Sequence, residues 1–425
     1  MLYISLLFLS LSLSAQKKQD HIAFINATAH IGNGQVIEKS LFVIKGDKIE
    51  SIMDITGIKL NPAAFDTVID LSDQHLYPAL INPNNILGLH DAEAVRATVD
   101  FAEVGQLNPH IRALIAYNTD NLIIPTVKTN GVLYTQVTPR GGLISGSSSI
   151  MALEGWNWED AVLKADDGIH LAFPSNVEAR AGESDEHYKK RLTQYTSSME
   201  ELHRFFEEAR AYYNTETHPE INLRFEAMKT IFAGTSRLYV HANKAKDLLQ
   251  VFSFVRQHAI KWPVLVGGKE AYKVLGELKQ SGIPVMLNRV HDLPSKEDDE
   301  VDIVFKLPAL LQKDSILFCL QLEGDMEAMQ SRNLPFNAGS AVAYGLSKEQ
   351  ALAAISLNAA KIMGVHTLIG SLEDGKLASF VVSNGDLLDM KTNAVILACI
   401  AGKPIQLNNK QSELYFRYLN KYKLR

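Results

Sequence analysis

The sequence contains only two cysteines, has little excess charge, and carries no long apolar run beyond its first residues. Its 425 residues include 42 basic and 48 acidic side chains, for a net charge of −6, so it lacks the basic surface of a nucleic-acid-binding protein. A zinc–thiolate centre is not expected, because there are only two cysteines and they lie in different domains. Cys319 and Cys399 lie in apolar, strand-like stretches of different domains, so we expect buried, unpaired thiols rather than a disulfide.

The first fifteen residues, MLYISLLFLSLSLSA, are the one markedly apolar segment. The segment is short for a membrane span and ends in small residues, which predicts a secretory signal peptide cleaved near Ala15. An uncleaved anchor is the alternative, because the segment has no Lys or Arg and Leu13 stands where a small residue is usual. After cleavage we expect a periplasmic or extracellular protein that is not held in the membrane.

Both ends of the chain show short β patterns punctuated by glycine turns. Neither end has enough strands to bury a core by itself. We therefore expect residues 16–77 and 370–425 to pair into one small composite β-sandwich domain. The predicted strands of this domain are residues 22–26, 35–44, 48–52, 379–383 and 394–400.

The middle of the chain, residues 78–369, alternates apolar runs with amphipathic helical patterns, which indicates an α/β fold, specifically a (β/α)8 TIM-like barrel. Seven of eight strands can be assigned, and the fourth cannot. Residues 182–213 predict one long charged helix that is solvated at the surface, with a cover over the barrel mouth as the alternative. The predicted strands are 79–82, 131–137, 168–173, 237–242, 263–266, 283–287 and 315–322, and the predicted helices are 188–213, 245–258, 270–281 and 347–363.

A long ordered pattern near the C-terminus resembles a known family. The segments LPFNAG, AYGLSKEQAL, SLNAAKIMG and GSLEDGKLASFVV follow one another between Leu334 and Val382. They are similar to the last barrel helix and returning β strand of imidazolonepropionase-like amidohydrolases, although Ser379 stands where that family usually has Asp. The resemblance implies hydrolysis of non-peptide C–N bonds, in cyclic amides or small peptide-like substrates, by a metal-activated water.

The first metal-binding motif of that family is missing here. The stretch PALINPNNILG, residues 78–88, resembles the strand in which the family carries Asp-x-His-x-His. Two histidines on alternate residues at a strand end can face one metal ion. Here Asn82 replaces the Asp, and Asn84 and Ile86 replace the histidines. An amide oxygen is a weak zinc ligand and isoleucine is none, so most of the metal affinity is expected to be lost.

One metal ligand of the family is retained further along the chain. His241, in the strand LYVHAN, matches a family ligand. Gly267 stands where the family has a further histidine, and Asn243 stands where one sub-branch of the family has another. No cofactor is therefore firmly implied. The remaining set allows at most a single zinc or similar divalent ion at His241, held loosely with one carboxylate.

Four residues outside the metal motif are candidates for chemistry or binding. Glu323 and Asp325 follow the eighth strand, where the family has an Asp that acts as general base. His291 follows the seventh strand. Arg140 lies in the glycine-rich segment 138–146, interpreted as a mouth loop, and is a candidate for binding a substrate carboxylate. Other histidines match no ligand position, among them His90, His110 and His170.

These observations support two hypotheses about a small-molecule or peptide-like ligand. The chain is either a hydrolase with weak or altered activity, using His241 with Glu323 or Asp325, or a non-catalytic binding or partner subunit that keeps the barrel as a scaffold. In the second case it forms a homo-oligomer or pairs with an active paralogue. Metal-independent hydrolysis by His291 is a third interpretation, without a recognisable nucleophile motif.

Overall fold

The computed structural model describes residues 20–91, 95–180 and 182–424, so the predicted signal peptide lies outside the described residues. Its strands form two sheets. The strands are β1 (His21–His30), β2 (Val36–Lys45), β3 (Lys48–Asp54), β4 (Thr67–Asp70), β5 (His75–Pro78), β6 (Leu80–Asn85), β7 (Val132–Val137), β8 (Ile144–Ala152), β9 (Val162–Ala172), β10 (Arg237–Ala242), β11 (Pro263–Gly267), β12 (Val285–Leu287), β13 (Phe318–Leu320), β14 (Phe380–Ser383), β15 (Val395–Ile400) and β16 (Lys403–Pro404).

The helices lie mainly after β9 and cover the second sheet. They are α1 (Ile124–Lys128), α2 (Trp158–Ala161), α3 (Asp185–Asn214), α4 (Leu223–Ala233), α5 (Ala245–Gln257), α6 (Leu275–Ser281), α7 (Ile303–Lys313), α8 (Glu327–Gln330), α9 (Leu334–Ala343), α10 (Lys348–Ala354), α11 (Leu357–Met363) and α12 (Lys410–Tyr422). Within the described ranges, no helix combines the length and apolarity needed to cross a bilayer.

The first sheet draws on both ends of the chain, as the β patterns predict. Its order is β16-β15-β14-β5-β1-β2-β3, with β4 paired to β1. β14 joins the two ends because it pairs with β5 on one side and β15 on the other. Phe24 and Phe42 pack edge-on against Phe380, with ring centroids 5.1 and 5.0 Å apart, so the core of this sheet contains residues from both ends.

The second sheet is the predicted eight-stranded barrel, in the order β13-β12-β11-β10-β9-β8-β7-β6. One strand differs from the prediction. The strand that could not be assigned is the third, β8, and it runs antiparallel to both β7 and β9. The segment interpreted as a mouth loop therefore ends at Leu143, and Ile144 begins a strand. Short connections replace crossover helices here, because antiparallel neighbours need only a turn between them.

The two cysteines agree with the sequence analysis. Cys319 lies in β13 of the barrel and Cys399 in β15 of the first sheet, and both are buried free thiols. Burial raises the pKa of Cys399 to about 12 and raises that of Cys319 further. Both side chains therefore act as small apolar core residues.

The predicted long charged helix is α3, which packs along one face only. Leu202, Phe205, Phe206 and Ala209 are its buried residues. Phe206 contacts Phe254 of α5 edge-on, with ring centroids 4.9 Å apart. The Nδ1 of His203 on α3 lies 3.0 Å from the Nε2 of His258, which caps α5. The helix is thus fixed to the barrel exterior by an apolar stripe and one histidine pair.

This histidine pair makes stability depend on pH. Burial, His203 and Arg210 lower the pKa of His258 to about 4. Because its folded-state pKa lies below the ordinary value of about 6.5, stability is full above pH 6.5 and falls as pH drops towards 4. We expect urea unfolding between pH 7 and 4.5 to show a shallower stability loss in His258→Phe, which keeps the ring packing but cannot take up a proton. An identical pH dependence in the variant and the natural chain would contradict this assignment.

Candidate functional site

The barrel mouth lies where β6, β10 and β13 end, and it gathers most of the polar residues singled out from the sequence. Asn84 is at the end of β6, His241 is in β10, and Glu323 follows β13. β6 and β13 are the two terminal strands of the barrel sheet. Side chains at this seam therefore hold the barrel together as well as lining its mouth.

Asn84 lies at the centre of the mouth and is saturated by protein partners. Its Nδ2 donates to the Oε2 of Glu323 at 3.0 Å and to the Oε1 of Gln321 at 3.4 Å, and its Oδ1 accepts from Arg140 at 2.9 Å. Its φ is +50°, a left-handed conformation that asparagine tolerates better than most residues. The residue at the first histidine position of the motif is thus a structural hydrogen-bonding hub that links β6 to the segment after β13.

Arg140 pairs with a carboxylate of the protein itself. Its Nη2 lies 3.0 and 3.1 Å from the two oxygens of Glu327, and it also donates to the backbone oxygen of Asn84 at 3.0 Å. Glu327 is only 5% exposed. Burial raises the pKa of Glu327 while Arg140 acts in the opposite direction, so the guanidinium compensates a carboxylate that is otherwise costly to bury. The group proposed for a substrate carboxylate is therefore occupied by an internal one.

His241 has a protein partner on each ring nitrogen. Its Nε2 is 2.9 Å from the Nδ1 of His170, and its Nδ1 is 3.5 Å from the Oε2 of Glu323. Burial tends to raise the pKa of Glu323, but His241, Arg140 and Asn84 outweigh burial and bring it to about 2. Glu323 is therefore ionised at neutral pH, and it anchors a line of three polar side chains along the mouth.

His170 belongs to this line, although the sequence analysis assigned it no role. It is 1% exposed and stacks on Tyr239, with ring centroids 4.5 Å apart. Burial, followed by the influence of His241 and Arg140, lowers its pKa well below the ordinary value. A neutral His170 can hold His241 in one ring orientation. In the sequence, His170 lies two residues after Gly168 in β9, and this spacing places both residues on the same face of the strand. It is the feature from which a role for His170 could have been inferred.

A buried carboxylate extends the network below the mouth. Asp167 accepts from the hydroxyls of Ser148 and Tyr239, at 2.7 and 2.5 Å, and from the Nε2 of Gln136 at 2.9 Å. Burial raises the pKa of Asp167, and these donors oppose that shift. Because the Oε1 of Gln136 also accepts from the backbone of Asn84 at 3.0 Å, the hydrogen bonds run without a break from the barrel interior to the mouth.

The other degenerate positions lie beside this network. Ile86 packs against the barrel core. The Oδ1 of Asn243, after β10, accepts from Asn288, after β12, at 3.1 Å, and β11 lies between these two strands. Gly267 has φ +106°, and a Cβ there would lie 2.6 Å from the Oδ1 of Asn243 and 2.8 Å from a backbone oxygen. The backbone at Gly267 therefore excludes a histidine in this arrangement.

Two predicted catalytic residues are not brought to the cluster. His291 points outward, with its Nε2 2.7 Å from the Oγ of Ser340 on α9, and it lines a cavity with Phe336 and Met390. Burial and Arg289 lower its pKa. Asp325 is exposed, and its backbone oxygen is 3.5 Å from Arg289. Of the two carboxylates after β13, the structure thus places Glu323 against His241.

A zinc or similar divalent ion is the group that the family resemblance implies for this mouth, and the residues present do not fit it. Asn84 offers an amide already engaged with protein partners, Gly267 has no side chain, and both nitrogens of His241 face protein atoms. Among the residues that the structure describes, no group of three or more His, Cys, Asp or Glu side chains is placed to hold a metal. The mouth therefore does not suit a metal-activated water.

An eight-stranded barrel, a β domain shared by both chain ends and polar residues at the strand ends together define an amidohydrolase-type architecture. The chain belongs to the amidohydrolase family, whose sequence model matches residues 182–405. No curated protein matches it.

Solved structures show the same fold at low sequence identity. An amidohydrolase from Thermotoga maritima MSB8 superposes with a TM-score of 0.74 at 22% identity, over 91% of this chain and 99% of that chain. Molinate hydrolase gives a TM-score of 0.54 at 13% identity, over 92% and 95%. A Xaa-Pro dipeptidase with bound methionine in its active site gives 0.51 at 12% identity, over 91% and 100%. At these identities the likeness establishes the fold alone.

Proposed function

We propose that this chain is a ligand-binding member of the amidohydrolase family in which the barrel mouth holds a small polar or peptide-like molecule without hydrolysing it through a metal. The observation that carries the proposal is the saturated side chain of Asn84. It bonds to Glu323, Gln321 and Arg140 at the position where the motif places a metal-binding histidine. A side chain whose polar atoms all bond to protein groups stabilises the fold, and it does not leave an empty metal-ligand position.

The mouth retains polar groups that a ligand can reach. His241 and Glu323 keep 19% and 33% of their side-chain surface exposed, and Asn243 is exposed beside them. Together they offer an imidazole, a carboxylate and an amide at strand ends of the same barrel mouth. Such a set suits hydrogen bonds to the amide and amino groups of a peptide-like molecule.

A metal-independent hydrolase is the second candidate, and the His241–Glu323 pair favours it. A carboxylate 3.5 Å from an imidazole nitrogen can orient that ring, and the imidazole can accept a proton from water. His170, however, takes the other ring nitrogen of His241 at 2.9 Å. General-base action therefore requires that the His170 contact open when substrate binds.

A titration with dipeptides and cyclic amides tests the proposal, with calorimetry for binding and product analysis for turnover. We expect saturable binding without turnover, and about tenfold weaker binding in Glu323→Gln, which removes one charge-assisted hydrogen bond. Lys306→Ala, which breaks an exposed ion pair with Glu300, serves as the control and should leave binding unchanged.

Three results would decide against the proposal. Turnover that survives a chelator and is lost in His241→Phe would establish the metal-independent hydrolase. Turnover that requires added metal would establish the ordinary chemistry of the family. Absence of binding to the whole panel would contradict a peptide-like ligand.

We also propose a family branch, a location and a mode of assembly for this chain. The motif run between Leu334 and Val382 supports the imidazolonepropionase-like branch. The apolar segment at residues 1–15 supports export to the periplasm or outside the cell. Pairing with a second copy or an active paralogue fits a barrel that binds but does not turn over its ligand.

A further inference from the structure

The C-terminal helix α12 is largely exposed. None of its residues from Lys410 to Tyr422 is buried. A capping box at its start closes the helix locally, with the Asn409 side chain accepting from the backbone of Ser412 and the Ser412 side chain accepting from the backbone of Asn409. At that same end, Gln411 accepts a hydrogen bond from Thr126 of α1 at 3.3 Å. The helix is thus well formed but contributes almost nothing to the core.

The exposed surface of α12 is aromatic along one face. Tyr415, Tyr418 and Tyr422 are spaced three and four residues apart, so their side chains share that face. They are 59%, 49% and 60% exposed, and the rings of Tyr418 and Tyr422 stack 6.3 Å apart. Three large rings in contact with water on one helix face indicate a surface that is covered by a partner.

The neighbouring face of α12 is basic. Lys410, Arg417 and Lys421 recur at spacings of seven and four residues and are exposed. Residues 410–425 contain five basic side chains and one acidic one, a net charge of +4 in a chain whose total is −6. The positive charge is therefore concentrated in this short terminal segment and contrasts with the rest of the protein.

We propose that α12 docks on an anionic lipid surface and holds the protein at a membrane. A helix with tyrosines on one face and Lys and Arg on the next suits the headgroup region, where the rings enter the interface and the cations meet lipid phosphates. Self-association through this face is disfavoured, because it would bring together two segments that each have a net charge of +4. The proposal revises the expectation that the chain has no membrane contact after signal cleavage.

Vesicle sedimentation tests this, with a chain that begins at Gln16 so that the apolar segment 1–15 cannot contribute. The described part of the chain begins at residue 20, so this chain keeps all of it. We expect binding to phosphatidylcholine vesicles only when phosphatidylglycerol is included, and loss of that binding at about 1 M salt, where the Debye length is about 3 Å. Tyr415→Ser/Tyr418→Ser/Tyr422→Ser and Arg417→Glu/Lys421→Glu should each weaken binding about tenfold or more.

Trp156→Ser is the matched control, because this ring is 92% exposed but lies far along the chain, in the connection between β8 and β9. It should bind vesicles like the natural chain. All variants should keep the natural melting temperature, since none removes a buried side chain. Equal binding to vesicles with and without phosphatidylglycerol, or unchanged binding in both α12 variants, would overturn the proposal. A dimer that dissociates in the tyrosine variant, without any vesicle binding, would assign the face to a second copy instead.

Discussion

Replacing Arg140 with alanine is expected to lower the free energy of unfolding by about 3–5 kcal/mol, because it leaves a buried charge without its partner. Arg140 contacts both oxygens of Glu327, which is 5% exposed, and also satisfies the Oδ1 of Asn84. Its removal therefore leaves one carboxylate and one amide oxygen without their Arg140 hydrogen bonds, between the two terminal strands of the barrel sheet. Urea unfolding followed by circular dichroism measures the loss.

Two further variants separate the ion pair from a general effect of mutation. Arg140→Met/Glu327→Leu should recover at least half of the loss, because it removes both charges and leaves unpaired neutral groups instead, the two oxygens of Asn84 and the backbone N–H of Gly324. Lys306→Ala, in an exposed pair with Glu300, should cost less than about 1 kcal/mol. A loss of that small size in Arg140→Ala would show that the Arg140–Glu327 pair is not a support of the barrel mouth.

The second large effect is expected at Gly267, where alanine should cost about 3 kcal/mol or more from backbone strain combined with a steric clash. The φ of +106° disfavours any Cβ, and the added carbon would lie 2.6 Å from the Oδ1 of Asn243. Relief of this clash requires that Asn243 release its hydrogen bond with Asn288. The change should be measured as the shift in the urea midpoint.

Gly34 provides a matched control for the conformational part of this cost. Its φ is +101°, nearly that of Gly267, but a Cβ there meets nothing within 4 Å. Gly34→Ala should therefore cost only about 1–2 kcal/mol from the left-handed conformation. Equal losses in the two variants would show that the strand end at Gly267 has room for a side chain, and hence for the histidine that the motif lacks.

The sequence predicts the barrel strands well where they are apolar and poorly where they are not. β10 and β11 are mostly apolar and buried and are bounded by helical patterns, and both were predicted within a residue of their ends. β8 reads ISGSSSIMA, and its serines and glycine conceal a strand that is buried along its whole length. Serine side chains of β8 donate hydrogen bonds to Asp166 and Asp167 across the sheet. Hydrogen bonds between strands of this kind leave no pattern in the local sequence.

The candidate site divides in the same way. The positions of Asn84, His241 and Glu323 could be predicted from the resemblance to the family's strand-end motifs, and such strand ends converge at a barrel mouth. Their partners could not, because His170 and His241 are 71 residues apart and Arg140 and Glu327 are 187 residues apart. Contacts of this kind depend on how the strands pack. Glu327, at the start of a four-residue helix, carries no sequence signal for its role.

We infer that the side chains at the metal-ligand positions of the mouth bond to protein instead of to a metal, and the most direct test of this inference is the metal content of the chain purified without chelators. Elemental analysis should be made on the natural protein and on His241→Ala. We expect far less than one equivalent of zinc, manganese, iron or nickel per chain, and the same value in the variant. One equivalent of metal in the natural protein, lost in His241→Ala, would show that the mouth holds a metal site and that Asn84 and Arg140 do not replace it.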